Sequence, residues 1–287
     1  MKDKFEKYLN KVFKKIKKTP EVIDLKNEIM NDLLEKSEDV KKITNDELAN
    51  YEICINSLGD LYLLIKEYKK DYRKLDKKIE LPKYKLGEEL LNSISHGIGI
   101  LLSITALILC VIKADSGKAL FAVLIYSITS IILYLTSCLY HSFKHNNAKR
   151  VFRIIDHCSI YLLIAGTYTP IVLLKLNTVL GWWMFGIVWF LAIIGIVLNS
   201  IDLKKYKTIS MILYLVMGWC IIFSFKNLLE NMNIMGILFS LLGGIIYTIG
   251  AVLYGIGKKK KYMHSVFHIF CIIASVSFFV TIYFYAL

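Results

Sequence analysis

Acidic residues are almost missing from the last 200 residues of this chain. From Glu88 to Leu287 there are six, Glu88, Glu89, Asp115, Asp156, Asp202 and Glu230, while the first 87 residues hold the other seventeen of 23. The chain is 56% hydrophobic overall, above the roughly 45–50% of a soluble domain. This imbalance excludes a single soluble globule. The apolar content and the lack of a short repeat exclude a disordered or fibrous chain. The six cysteines (Cys54, Cys110, Cys138, Cys158, Cys220 and Cys271) form no CxxC pair or closely spaced framework. Five fall in apolar segments, so they read as small buried hydrophobes rather than disulfides or thiolate metal ligands. The first 80 residues contain no histidine and no glycine-rich phosphate loop. The Lys-rich N-terminus has no features of a cleavable signal peptide, so the first apolar span is expected to act as its own insertion signal.

What is present divides into a charged head and an apolar body. Residues 1–80 read as a soluble helical domain. Phe5, Leu9, Val12, Phe13 and Ile16 recur at helical spacing. Thr19-Pro20-Glu21 has the form of an N-cap followed by proline at the first helical position. Val22, Leu25, Ile29, Leu33 and Leu34 then share one face. Thr44-Asn45-Asp46-Glu47 offers a third start for a helix carrying Leu48, Tyr51, Ile55 and Leu58, with Gly59 as its stop. A further helix is expected from Asp60 to about Lys70, before a charged linker that ends at Leu81-Pro82 and passes into the body over residues 81–89. The stretch TPEVIDLKNEIMNDLLEK with the later SLGD resembles the helical prefix domain ahead of some bacterial permeases and membrane regulators. That resemblance implies an interaction module with a cytoplasmic protein partner.

Residues 90–287 contain seven stretches near the roughly 20 apolar residues that cross a bilayer: about 90–112, 119–142, 154–174, 179–200, 208–225, 233–256 and 263–287. The fifth is the shortest. The fold class is therefore all-α, a seven-transmembrane helix bundle with an N-terminal soluble helical domain. Basic residues alternate along the loops: many before the first span, then Lys113 and Lys118, then Lys144, Lys149, Arg150 and Arg153, then Lys175, then Lys204, Lys205 and Lys207, then Lys226, then Lys258 to Lys261, and none at the end. The positive-inside rule then predicts a multi-pass protein of the cell membrane, with the N-terminus in the cytoplasm and the C-terminus outside. It also accounts for the formal net charge of +13 without a nucleic-acid partner.

Ionisable groups inside spans are costly and tend to be functional. Glu89, Asn92 and His96 lie on one face at the start of the first span, at helical spacing. Ser137 and His141 close the second span, Asp156 and His157 open the third, and His264 and His268 open the seventh. Given the alternating direction of the spans, all four clusters fall at one depth, in the inner leaflet. His264 and His268 at i, i+4 can point at one ion, and His141 would complete a three-histidine site. Such a site keeps a fourth position open on Zn²⁺. Asp156 is then placed to hold or deprotonate a water, and Ser137 to hydrogen-bond to the water, a ligand or a substrate carbonyl. A proton relay through the same residues is the non-metal alternative. His157 points about 100° away from Asp156 on a helix and is expected at the interface, and His145 in solvent.

The segments ELLNSISHG, SCLYH, DHCSIYLLIAGTYTP and HSVFH, in that order, resemble the motifs of the hemolysin III family, which groups with adiponectin and progestin receptors and alkaline ceramidases. The resemblance spans about residues 86–287. It implies seven transmembrane helices with a cytoplasmic N-terminus, His141, His264 and His268 as zinc ligands, Asp156 beside the zinc-bound water and Ser137 in the same polar shell. Glu89, Asn92 and His96 match the family's first-span motif. The head is the departure from that family pattern. The function expected is a zinc-dependent intramembrane hydrolase of a lipid amide or ester, with Asp156 and Ser137 as catalytic residues. A receptor-like sensor with structural zinc, signalling through the head, is the second reading. A cytolysin is a third, poorly supported by spans too apolar to line a water-filled pore.

Overall fold

The computed structural model describes residues 1–14, 16, 20–61, 63, 65, 81, 82, 84–144, 147–176, 178–256 and 260–287. The Thr19 cap, His145, Lys258, Lys259 and most of the expected helix from Asp60 to Lys70 fall outside them. The chain divides into two compact units, Met1–Lys78 and Ile79–Leu287.

In the first unit, α1 (Lys2–Phe13) buries Phe5, Leu9 and Phe13, spaced four apart. They pack with Val22, Leu33 and Val40 of α2 (Pro20–Lys41) and with Cys54 of α3 (Glu47–Asn56). The Asp46 side chain caps α3 by accepting the Leu48 amide at 2.8 Å. Asn50 reaches from α3 to the Ser37 carbonyl at 2.9 Å, so a buried amide ties α3 to α2. Leu48 departs from the expected face and is 63% exposed. It stands at the capped end of α3, while Asn50 and Cys54 turn inward.

Among its described residues, the second unit has seven helices long and apolar enough to cross a membrane: Leu86–Lys113, Gly117–Ser142, Asn147–Lys175, Thr178–Asp202, Lys207–Asn231, Ile234–Gly255 and Met263–Ala286, called spans 1 to 7. No strand occurs among the described residues. Successive spans pack in order, span 7 returns to span 1, and span 3 also meets span 5. Span 3 is the most enclosed, and spans 5 and 6 the least.

Several ends differ from the hydropathic ones. Span 1 starts at Leu86, not at 90, because the Glu88 carboxylate folds back to accept the Lys85 amide at 2.9 Å and caps the helix there. Span 3 starts at Asn147 rather than 154, since its first two turns are polar but still helical. Hydropathy marks where the apolar stretch begins, whereas capping decides where the helix begins. Span 5 is not the shortest. Its helix runs Lys207–Trp219, tightens to 3₁₀ over Cys220–Ser224 and resumes over Phe225–Asn231, so Lys226 lies inside it.

Close packing of spans 3 and 4 depends on two glycines. A Cβ on Gly195 would meet the Tyr161 ring at 2.2 Å, and one on Gly181 would meet the Val172 carbonyl oxygen at 2.4 Å. The second obstacle is backbone and cannot rotate away. Gly181→Ala is expected to lose about 1–3 kcal/mol by overpacking, read as a lower melting temperature in detergent. An unchanged melting temperature would mean that spans 3 and 4 lie further apart than described.

Candidate metal centre

The His141, His264 and His268 ligand atoms lie within 4.8 Å of one another. His264 Nε2 is 3.2 Å from His141 Nε2 and 3.0 Å from His268 Nε2. His264 and His268 share a face because they are one helical turn apart at the start of span 7. His141 comes from the last turn of span 2. Three imidazole nitrogens this close cannot all satisfy one another, because each neutral ring has one N–H and one lone pair. A cation resolves the conflict. Tetrahedral coordination at the usual Zn–N length of about 2.0–2.1 Å sets neighbouring nitrogens about 3.3 Å apart. The two observed separations fall just short of that edge, so the donor set fits a metal ion.

Two consecutive acids at the head of span 1 organise this cluster. Glu89 Oε2 accepts from His141 Nδ1 at 2.6 Å, which leaves Nε2 as the lone pair facing the other two histidines. A carboxylate behind a ligating histidine in this way orients the ring and raises its basicity. Lys149, from the first turn of span 3, donates to Glu89 Oε1 at 2.7 Å and to the Phe143 carbonyl at 3.0 Å. The Asn92 amide nitrogen stands 3.4 Å from the same His141 Nδ1, a contact that loses to the shorter carboxylate bond. Glu88 Oε1 accepts the Tyr262 amide at 2.6 Å, just ahead of His264. Tyr262 has φ +62°, a conformation rare for residues with a side chain. The bond to Glu88 helps to hold it.

The other expected residues lie on a cavity of about 150 Å³ between spans 1, 2, 3, 5, 6 and 7. His96, Ser137, Asp156, His157, His264 and His268 all line it. Ser137 of span 2 and Asp156 of span 3 line it together. Asp156 is not one of the three converging ligands; it lines the same cavity as His264 and His268. His96 lies against His268 with ring centroids 3.8 Å apart and 35° between the ring planes, and edge-on to Tyr134 at 5.1 Å. Its two ring nitrogens have no hydrogen-bond partner among the described residues. His157 lines the cavity as well, against its expected interfacial place. Its carbonyl accepts from the Tyr214 hydroxyl at 2.8 Å, which draws span 5 against the start of span 3.

Sequence reasoning missed Glu88, Lys149 and Tyr84. Lys149 counted only as an orientation charge, although it is 2% exposed. The Tyr84 ring stacks on His264 at 5.1 Å with a 12° interplanar angle and lies 5.7 Å from His141. Burial raises its phenol pKa, so it stays neutral. Tyr84 precedes the first span and belongs to no apolar period that would have marked it.

These features define a class: a seven-span helical membrane protein with a buried polar centre built by spans 1, 2, 3 and 7. The family model "Haemolysin-III related" matches residues 84–279, and the chain belongs to that family. It is 40% identical over 203 residues to "Hemolysin-3" of Bacillus cereus, covering 70% of this chain and 92% of that protein. It is likewise 40% identical over 205 residues to "Hemolysin-3 homolog" of Bacillus subtilis (strain 168), covering 70% and 96%. A more distant match, 29% identical over 152 residues, is "Monocyte to macrophage differentiation factor" of Homo sapiens, covering 51% of this chain and 62% of that protein. This match extends the likeness to the adiponectin-receptor-like group. No solved structure matches the chain.

Two substitutions test the centre. His268→Ala is expected to lower bound metal at least tenfold, measured by elemental analysis of the purified protein. Glu89→Gln keeps the shape and removes the carboxylate, so metal affinity should fall by about 10–100-fold. Wild-type metal content in folded His268→Ala would remove that residue from the ligand set.

Proposed function

We propose that the protein is a zinc-dependent intramembrane hydrolase acting on a lipid amide or ester. The observation that carries this reading is the three-imidazole cluster beside Asp156, at the head of an otherwise apolar cavity. Three histidine ligands with a position left open match a catalytic zinc site, and imidazole suits zinc among the common metals. When bound, such an ion supplies Lewis-acid polarisation of a carbonyl and a water pKa near 7.

The remaining chemistry belongs to side chains of this chain. Asp156 serves as the general base that takes the proton of the attacking water and then delivers it to the leaving amine or alcohol. Ser137 holds that carboxylate in position. His96, unpartnered and facing the cavity, offers a hydrogen bond to the substrate's polar head. Glu89 keeps His141 in the tautomer that faces the centre. The apolar walls exclude bulk water and receive a hydrocarbon chain.

The alternation of basic loops supports a cytoplasmic head and a metal centre in the inner leaflet. The separate head unit favours a second reading, a receptor-like sensor in which zinc is structural and residues 1–80 engage a cytoplasmic partner. Lysis, the property named in the Bacillus cereus relative, finds less support in a cavity with apolar walls.

Asp156→Asn separates the first reading from the second. On a panel of ceramides and other acylated lipids, the wild type should release fatty acid, and Asp156→Asn should cut the rate at least a hundredfold while retaining metal. Absence of turnover from metal-loaded wild type on the whole panel, together with a lower melting temperature after chelation, would favour the sensor.

A further inference from the structure

The cavity has a floor. Its walls keep one order of depth on four spans: Asp156, Met211, Tyr254 and His264 at the metal end, and Tyr168, Trp219, Gly244 and Phe278 at the other. Twelve residues separate Asp156 from Tyr168, which at 1.5 Å per residue is about 18 Å. Beyond lies a second cavity of about 50 Å³, walled by Ile171, Phe225, Leu228, Ile237 and Leu241 among others. Tyr168, Gly218, Trp219, Gly244 and Phe278 line both, so these five residues form the partition.

The partition is built, not incidental. Trp219 is the last residue before span 5 tightens to 3₁₀. Its indole N–H donates to Thr248 Oγ1 at 3.1 Å, and Thr248 in turn donates to the Gly244 carbonyl at 2.7 Å. The Tyr168 hydroxyl spans the break, donating to the Gly218 carbonyl at 2.8 Å and accepting the Ile221 amide at 3.2 Å. These bonds fix the indole against span 6. A Cβ on Gly244 would touch the Trp219 ring at 3.8 Å, an ordinary contact, so a methyl group fits opposite the indole and a larger side chain would fill the space beside it.

We propose that Trp219 is a chain-length determinant. It would stop an acyl chain entering from the metal end, and Gly244 would set how much of the chain passes it. This rests on the lipid-hydrolase reading above. A carbon–carbon bond of about 1.5 Å advances an extended chain by about 1.25 Å, so 18 Å holds about 14 carbons. The second cavity adds at least the three residues from Tyr168 to Ile171, about 4.5 Å or four carbons.

Native mass spectrometry of the full-length protein in detergent, with equimolar saturated fatty acids of about 10 to 22 carbons as probes, reads the preferred length directly. The wild type should favour chains of about 14 carbons, with occupancy falling at least fivefold by about 20. Trp219→Ala should move the optimum about four carbons longer, and Gly244→Leu at least two carbons shorter. The two shifts are opposite in sign, so either variant tests the proposal if the other does not fold. Binding with an unchanged length profile in a folded variant overturns the role of Trp219 and leaves the hydrolase reading intact. No fatty acid bound to the wild type overturns the ruler, while turnover of acylated lipids by the same preparation would still support the hydrolase.

Discussion

The bond between Glu89 and His141 is the constraint on which the centre depends. A carboxylate this deep in a helix bundle is unstable unless it is paired. Here the pairing is divided, with Lys149 on one oxygen and the imidazole on the other. The lysine balances the charge of the acid. The hydrogen bond from His141 Nδ1 to Glu89 leaves Nε2 turned toward His264 and His268. Removing Lys149 would leave the Glu89 charge buried without compensation. The adjacent Glu88 acts in the same way on span 7 through the Tyr262 amide. Two successive residues thus hold three other spans in register. Both sit in the first turn of span 1, where the helix N-terminus favours negative charge.

The seven spans and the residues of the centre were legible in the sequence for one reason. Lipid makes polar groups costly, so the few that remain inside apolar stretches are conspicuous, and the alternating direction of the spans brings them to one depth. Depth is readable because it is a count along the chain. Rotation about a helix axis, and the choice between neighbours in the bundle, are not counted along the chain. That is why Lys149 looked like one more orientation charge and His157 like an interfacial residue. The polar first turns of span 3 carry no hydropathic signal although they are helical. The 3₁₀ interruption of span 5 has no proline to announce it, and its broken hydrogen bonding is repaired from another helix by Tyr168. In the head, periodicity marked α2 and the Asp46 cap marked α3, but the inward turn of Asn50 depended on a carbonyl of a different helix.

Tight packing and looseness are divided within the bundle in a way that suits a polar centre beside an apolar cavity. Spans 1, 2, 3 and 7 supply the ionisable groups, and cross-span bonds to Glu88 and Glu89 bind these helices together. Spans 5 and 6 supply none of the centre's ligands or acids, are the least enclosed, and contribute aromatic and aliphatic walls to the cavity. Geometry within a few tenths of an ångström is needed where nitrogen atoms converge, and hydrogen bonds provide it. A hydrocarbon chain makes no such demand, and dispersion contacts against walls such as Leu215 and Ile160 suffice.

The position of Asp156 follows from the same division. Had it joined the three histidines as a fourth ligand, the set would be closed, as in structural metal sites. It stands instead on the cavity wall with Ser137, outside the 4.8 Å cluster. In the hydrolase proposed above, an acid near the centre without belonging to it is the one able to accept a proton, which a ligating carboxylate does poorly. An apolar environment strengthens the effect, because electrostatic interactions grow as water is excluded.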